Sequence, residues 1–345
     1  MQVIEPARVL YTVDIDGQPD YLSVFPCDEY QDKTLEGAML AATYGFDPVT
    51  KERTGGIFLF NPYDTLEMLM AEEVDPEGSS FDVPLFQIPL PGVLSCSWIR
   101  TEDCYAAASL TSHLDINIAQ VGTDEDDDLA LLPRDEIHLD NDTNGVGLSL
   151  NVHDALFSVT ASDGHVYVVE NGMQKEKWRA HNIEAWISAF HPDNPNVVLT
   201  GGDDSTVKVF DRRNGSKPTD TLRHNTYGVT AIKFMEGDPN VFYTGSFDQQ
   251  LMQLDMRNLS TPLSKKSIEG AVWYIDYVDR SRIHIAGCYD GAYIYETDSE
   301  GVPTQLVKQF AKDEALVYGA AHLSLPSGTA YASCSFYTKK IMFWC

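Results

Sequence analysis

The stretches VVLTGGDDSTVKVFD (197–211) and VFYTGSFDQQLMQLD (241–255) are built to one plan. Each opens on an apolar, β-branched run, breaks at small and acidic residues, and resumes with alternating apolar and polar positions. The break stops one strand and starts the next, and the period-2 alternation marks both as half-buried strands. Looser copies are LFSVTASDGHVYVVE (156–170), IHIAGCYDGAYIYE (283–296) and YASCSFYTKKIMFWC (331–345), with divergent ones at 41–61 and 104–120. Their last residues fall at 61, 120, 170, 211, 255, 296 and 345, so successive copies are 59, 50, 41, 44, 41 and 49 residues apart. That range brackets the ~40–45 residues of a WD-type blade. Seven copies predict an all-β, seven-bladed WD-repeat β-propeller.

The last copy ends at Cys345, directly after an inner strand. A blade needs a fourth strand, and an open ring would leave a bare sheet edge. ARVLYTVDID (7–16) alternates well enough to supply that strand and is expected to close the ring against blade 7. The wide separations hold two acidic loop insertions, at about 62–92 and 123–145, the second read as mostly solvated loop. The whole chain, 1–345, reads as one propeller domain.

Charge narrows the function classes. Against 24 Lys and Arg stand 52 Asp and Glu, a formal net charge of −28. Such a field repels phosphate backbones and favours cationic or basic partners, so no direct nucleic-acid contact is expected. The six cysteines form no C-x-x-C pair, which gives neither a zinc site nor a disulfide framework. No apolar run has the length of a signal-peptide core or a membrane span. The expectation is a cytoplasmic, reduced monomer with no membrane contact, no metal and no cofactor. No G-x-S-x-G, H-E-x-x-H or G-x-x-x-x-G-K-[ST] motif occurs. Composition and spacing alone stop at an acidic, non-catalytic scaffold for protein assembly.

Asp163, Asp204 and Asp248 each lie seven residues before the terminal polar position of their copy. His181 and His224 precede Asp204 and Asp248 by 23 and 24 residues, a spacing suited to a hydrogen-bonded brace within each blade. Thr338 stands where the corresponding aspartate of blade 7 would be.

Five segments are not general features of such repeats: EAWISAF (184–190), GGDD (201–204), GAVW (270–273), LVYGA (316–320) and CSFY (334–337). In this order they resemble the WD-repeat diphthine methylesterase family of diphthamide biosynthesis, most clearly over 150–345. The resemblance implies a protein methylesterase. Its substrate would be eukaryotic translation elongation factor two, carrying a histidine modified with a trimethylammonium group and a methyl-esterified carboxylate. Hydrolysis of that ester would leave diphthine, with no cofactor. The family offers no catalytic set to carry across.

Candidates therefore come from chemistry. Ester hydrolysis needs a nucleophile or activated water, a base, and donors for the oxyanion. His181 with Asp204, or His224 with Asp248, could act as an oriented base or could simply brace the blade. Ser335 and Cys334 are the candidate nucleophiles, Cys334 aligned with Thr200 and Thr244, Ser335 with Gly201 and Gly245; buried packing is the alternative for both. A trimethylammonium cannot donate hydrogen bonds and is selected by aromatic faces and carboxylates. That points to Trp186, Trp273, Tyr318 and Tyr337, with Glu184 and Glu269 beside the tryptophans, unless these are ordinary core. A reader of methylated cations that binds without hydrolysing remains a further alternative.

Overall fold

The computed structural model describes residues 4–27, 33–71, 83, 85–125, 127–310 and 316–345. Seven antiparallel sheets follow one another along the chain and form a seven-bladed propeller. The blades occupy 19–90, 93–138, 147–179, 185–222, 229–267, 274–310 and 317–344. Each sequence copy supplies the second and third strands of its blade, as in blade 4, where Asn194–Gly202 pairs with Val207–Asp211. The apolar sides of neighbouring sheets meet at the seams. Val166, Val168 and Trp178 of blade 3 pack with Phe190, Val198 and Phe210 of blade 4, and comparable clusters fill the other seams.

The ring closes as the sequence predicts. Val9–Asp14 runs antiparallel to Lys340–Trp344, with Val9 opposite Trp344 and Asp14 opposite Lys340, and completes blade 7. Leu10 is buried in the seam between blades 7 and 1. Ahead of it, Glu5–Pro6 adds a short parallel pairing to the outer strand of blade 6.

The insertions need correcting. Within 123–145, Leu129–His138 is the outer strand of blade 2, paired with Asp115–Thr123 through a bulge at Pro133–Asp135. Ala130, Leu131 and Ile137 are buried while Leu132–Glu136 are exposed around the bulge, and the acidic residues Asp124, Glu125, Asp127 and Asp128 lie in the turn that precedes the strand. Within 62–92, Phe86–Leu90 is the outer strand of blade 1, and Tyr63–Ala71 forms a helix; 72–82 and 84 lie outside the described residues. Asn61 accepts the Tyr63 N–H, Leu66 and Leu69 are buried, and Glu67 accepts from Ser327, which ties the helix to blade 7. No helix among the described residues is long and apolar enough to cross a membrane.

Candidate active site

The innermost strands of blades 1, 2, 3, 4, 5 and 7 share a local irregularity. Each slips register against its neighbour at the same place: Pro19/Tyr21, Val93/Ser95, Gly147/Ser149, Ala185/Ile187, Val229/Ala231 and Val317/Ala320. Such a bulge leaves a residue unpaired and re-aims its side chain. In blade 6 the same position is Trp273, whose N–H donates to Ala286 at 2.9 Å just before the strand begins. The seven positions are Asp20, Leu94, Leu148, Trp186, Thr230, Trp273 and Tyr318, and all of them line one cavity of about 160 Å³ on the propeller axis. A space of roughly that volume admits a benzene molecule.

Aromatic faces dominate one side of this ring. The Trp186 and Trp273 ring centroids are 5.4 Å apart at 62°, because the small Thr230 between them lets them meet. Tyr318 lies 4.7 Å from Trp273 at 38°. Phe247 stacks edge-on to Trp273, while Phe336 joins Tyr318 to Tyr337, so the lining continues onto the surface, where Tyr337 is 61% exposed. The indole N–H of Trp186 donates to Asp203 at 3.1 Å, which fixes the ring's orientation. The four aromatic residues expected from the sequence thus form one contiguous surface. Glu184 is half-buried and holds the Asp203 N–H with its backbone carbonyl, and Glu269 is exposed in the turn before blade 6. Asp203, rather than Glu184, is the carboxylate on Trp186.

Next to Tyr318 in the ring stands Asp20, and Leu94 and Leu148 complete the circle back to Trp186. Asp20 is 7% exposed and lines the cavity, and among the described residues it makes no hydrogen bond or ion pair. Burial pushes its carboxyl up to about 8. Burial also keeps the Tyr318, Cys288 and Cys334 groups protonated. Sequence reading missed Asp20, Thr230, Phe247 and Phe336. Asp20 precedes YLSVF in the divergent first blade; only a blade-by-blade count of inner-strand positions would have aligned it with Trp186.

The sequence-derived catalytic candidates divide. His181 is 1% exposed; its Nδ1 donates to Asp204 at 2.8 Å and its Nε2 meets the Thr200 hydroxyl at 2.8 Å. Burial works against the Asp204 charge, but hydrogen bonds from His181 and Thr206 and the nearby Lys208 ammonium hold its carboxyl well below the usual range. Gly202 lies flat on this imidazole; a Cβ there would come within 2.4 Å of Nδ1. Sealed on both nitrogens, His181 braces blade 4.

The His224–Asp248 pair does not form. His224 Nε2 donates to the Leu259 carbonyl at 3.1 Å, and Asp248 accepts from the Thr226 and Gln250 N–H groups. Counted from the inner strands, where Ala185 opposes Gly202 and Val229 opposes Ser246, the residue equivalent to His181 is Asn225. A spacing of 24 instead of 23 turns His224 away. Asn225 is too short for the brace, and its Nδ2 and the Thr244 hydroxyl are buried without partners among the described residues.

Cys334 and Ser335 also shift by one position. Thr200, Thr244 and Ser333 face the same third-strand position, so Cys334 corresponds to Gly201 and Gly245, and Ser335 to Gly202 and Ser246. Cys334 is wholly buried and its Sγ accepts the Gly319 N–H at 3.1 Å, while burial raises its thiol. Ser335 is wholly buried and accepts from Thr338 at 2.7 Å. Neither reaches solvent, and neither has a histidine among its hydrogen-bond partners, so neither is placed as a nucleophile.

Comparisons with known proteins agree with this architecture. The family model described as WD domain, G-beta repeat matches residues 172–211. The chain is 24% identical over 324 residues to diphthine methyltransferase of Schizosaccharomyces pombe, covering 90% of this chain and 92% of that protein. It is 25% identical to a diphthine methyltransferase homolog of Dictyostelium discoideum, covering 73% and 76%. Against diphthine methyltransferase of Homo sapiens the identity is 30% over 148 residues, 41% of this chain and 33% of that one. The WD40 β-propeller domain of Doa1 superposes with a TM-score of 0.69 at 14% identity over 98% of this chain and 96% of that one, a likeness of fold alone.

Proposed function

We infer from this kinship (the chain is a WD-repeat relative of the proteins named diphthine methyltransferase) that it works in diphthamide biosynthesis. The reaction we assign is hydrolysis of the methyl ester of methylated diphthine on eukaryotic translation elongation factor two. Its products are methanol and the free carboxylate of diphthine. One observation carries the reading: an axial cavity with Trp186, Trp273 and Tyr318 along one side and, beside Tyr318, the Asp20 carboxyl, which has no hydrogen-bond or ion-pair partner among the described residues. Aromatic faces take up a trimethylammonium that nothing can hydrogen-bond. The net charge of −28 adds long-range attraction for that cation and for a basic partner surface.

Intact-mass analysis of methyl-esterified elongation factor after incubation with the purified protein tests the reading. The expected result is loss of one methylene equivalent with stoichiometric methanol. A gain of one methylene from a methyl donor would make the protein a methyltransferase, and an unchanged mass would leave a binding scaffold.

A further inference from the structure

We propose that Asp20 is the general base of this site and that the substrate's own cation switches it on. The proposal rests on the ester-hydrolysis reading above and adds to it the residue that moves the proton.

Placement is the first argument. Asp20 occupies the bulge of the innermost strand of blade 1, the position from which Trp186, Trp273 and Tyr318 also enter the cavity. Its partnerless state is the second. A buried carboxylate without a donor is costly, so a bracing role does not account for it. By contrast, the Thr230 hydroxyl, also in the ring, is satisfied by the Val272 carbonyl at 2.6 Å.

The titratable groups that face Asp20 are the Tyr318 phenol and the Cys288 and Cys334 thiols, all protonated through burial, and on its own strand Tyr21, paired with Tyr274 at 3.3 Å. Lys233, also in the cavity wall, is 3.5 Å from Asp276. No cation is therefore committed to Asp20 among the described residues. With its carboxyl raised to about 8, it is mostly neutral at pH 7. A trimethylammonium bound on the tryptophans introduces the missing positive charge, which favours the ionised form.

The carboxylate then takes a proton from water as the water oxygen bonds to the ester carbonyl carbon. The tetrahedral intermediate collapses, the bond to the methoxy oxygen breaks, and Asp20 returns the proton to that oxygen. Methanol and the substrate carboxylic acid leave, and the acid loses its proton to solvent. A neutral ester of the same shape leaves Asp20 mostly protonated, so at pH 7 it is hydrolysed more slowly.

The test uses the methyl ester of an N-trimethylated amino acid and its isostere with carbon in place of nitrogen, followed by methanol release. In the wild type, kcat/KM should rise with pH with an apparent pKa of about 8, and the pKa seen in kcat should lie lower by about one unit or more. Asp20→Asn should lower kcat by about 100-fold or more while changing KM less than about threefold, and Asp20→Glu should restore part of the rate. An unchanged kcat, or a loss confined to KM, overturns the proposal; the latter makes Asp20 a cation anchor. If the wild type releases no methanol, the hydrolysis reading fails first. Tetramethylammonium binding then tests the coupling alone: it should tighten several-fold between about pH 6.5 and 8.5 in the wild type and stay flat in Asp20→Asn. Flat binding in both proteins overturns the cation switch.

Discussion

Asp204 and Asp20 are carboxylates on the same ring in opposite circumstances. Asp204 closes a turn and is met by His181, Thr206 and Lys208, so the fold holds it charged. Asp20 projects from a bulge into the axial cavity with no partner among the described residues, and burial holds it neutral. Their contributions to stability run in opposite directions with pH. Asp204, depressed in the native state, stabilises above the unfolded carboxyl range near 4, and that support is lost as pH falls. Asp20, raised in the native state, stabilises only below that range, and its support is lost as pH climbs from about 4 to 8. A group that weakens the fold at physiological pH is better explained by chemistry than by architecture.

The strongest way to break this comparison is at the seam on which Asp20 depends. Removing residues 1–16 deletes the outer strand of blade 7 and frees the chain leading to Asp20, while blade 4 keeps all of its own strands. The expected outcome is loss of cooperative melting and aggregation through the bared edge, checked by scattering and calorimetry. A monomer that melts as the full chain does would remove the closure argument.

Next in size is the stability of Asp20→Asn. It should match wild type near pH 4 and exceed it increasingly up to about pH 8, by at most about 1.4 kcal/mol for each pH unit crossed. Denaturant titrations at several pH values measure this. A destabilised variant across the range would mean that Asp20 braces the fold after all.

A smaller effect is expected at the aromatic wall. Trp273→Ala should weaken binding of the trimethylated ester by up to about tenfold, Trp186→Ala less, with a corresponding fall in preference over the uncharged isostere. Equal selectivity in wild type and Trp273→Ala would reduce that side chain to packing.

The smallest effect lies in blade 5. Asn225→His alone should destabilise, because its ring would meet Ser246 where blade 4 has Gly202. Adding Ser246→Gly should recover about 1 kcal/mol or less by giving Asp248 and Thr244 the partner that Asp204 and Thr200 have. An additive double-mutant cycle would show that the two blades are not equivalent.

Much of this was legible in the repeat. The turn aspartates, the blade count and the closing strand follow from alternation and the need to bury an edge. That Trp186, Trp273, Tyr318 and Tyr337 lie on one aromatic surface was legible too, while their role toward a quaternary cation belongs to the proposed function. What failed did so by single residues: His224 for Asn225, and Cys334 and Ser335 each displaced by one. For Cys334 and Ser335, in a strand of period two, that displacement exchanges faces, whereas His224 and Asn225 lie in the loop before an inner strand, where one added residue re-aims the side chain. Asp20 escaped because its function depends on a bulge, and no short sequence pattern in the first blade announces one.

The account turns on whether the chemistry belongs to the cavity or to the brace. Turnover of methyl-esterified elongation factor should be measured for His181→Asn and Asp20→Asn side by side, each normalised to folded protein. The account predicts that His181→Asn melts earlier yet keeps turnover within about twofold, while Asp20→Asn melts later and loses about 100-fold or more. The reverse pattern, a live Asp20→Asn and a dead but folded His181→Asn, would contradict it.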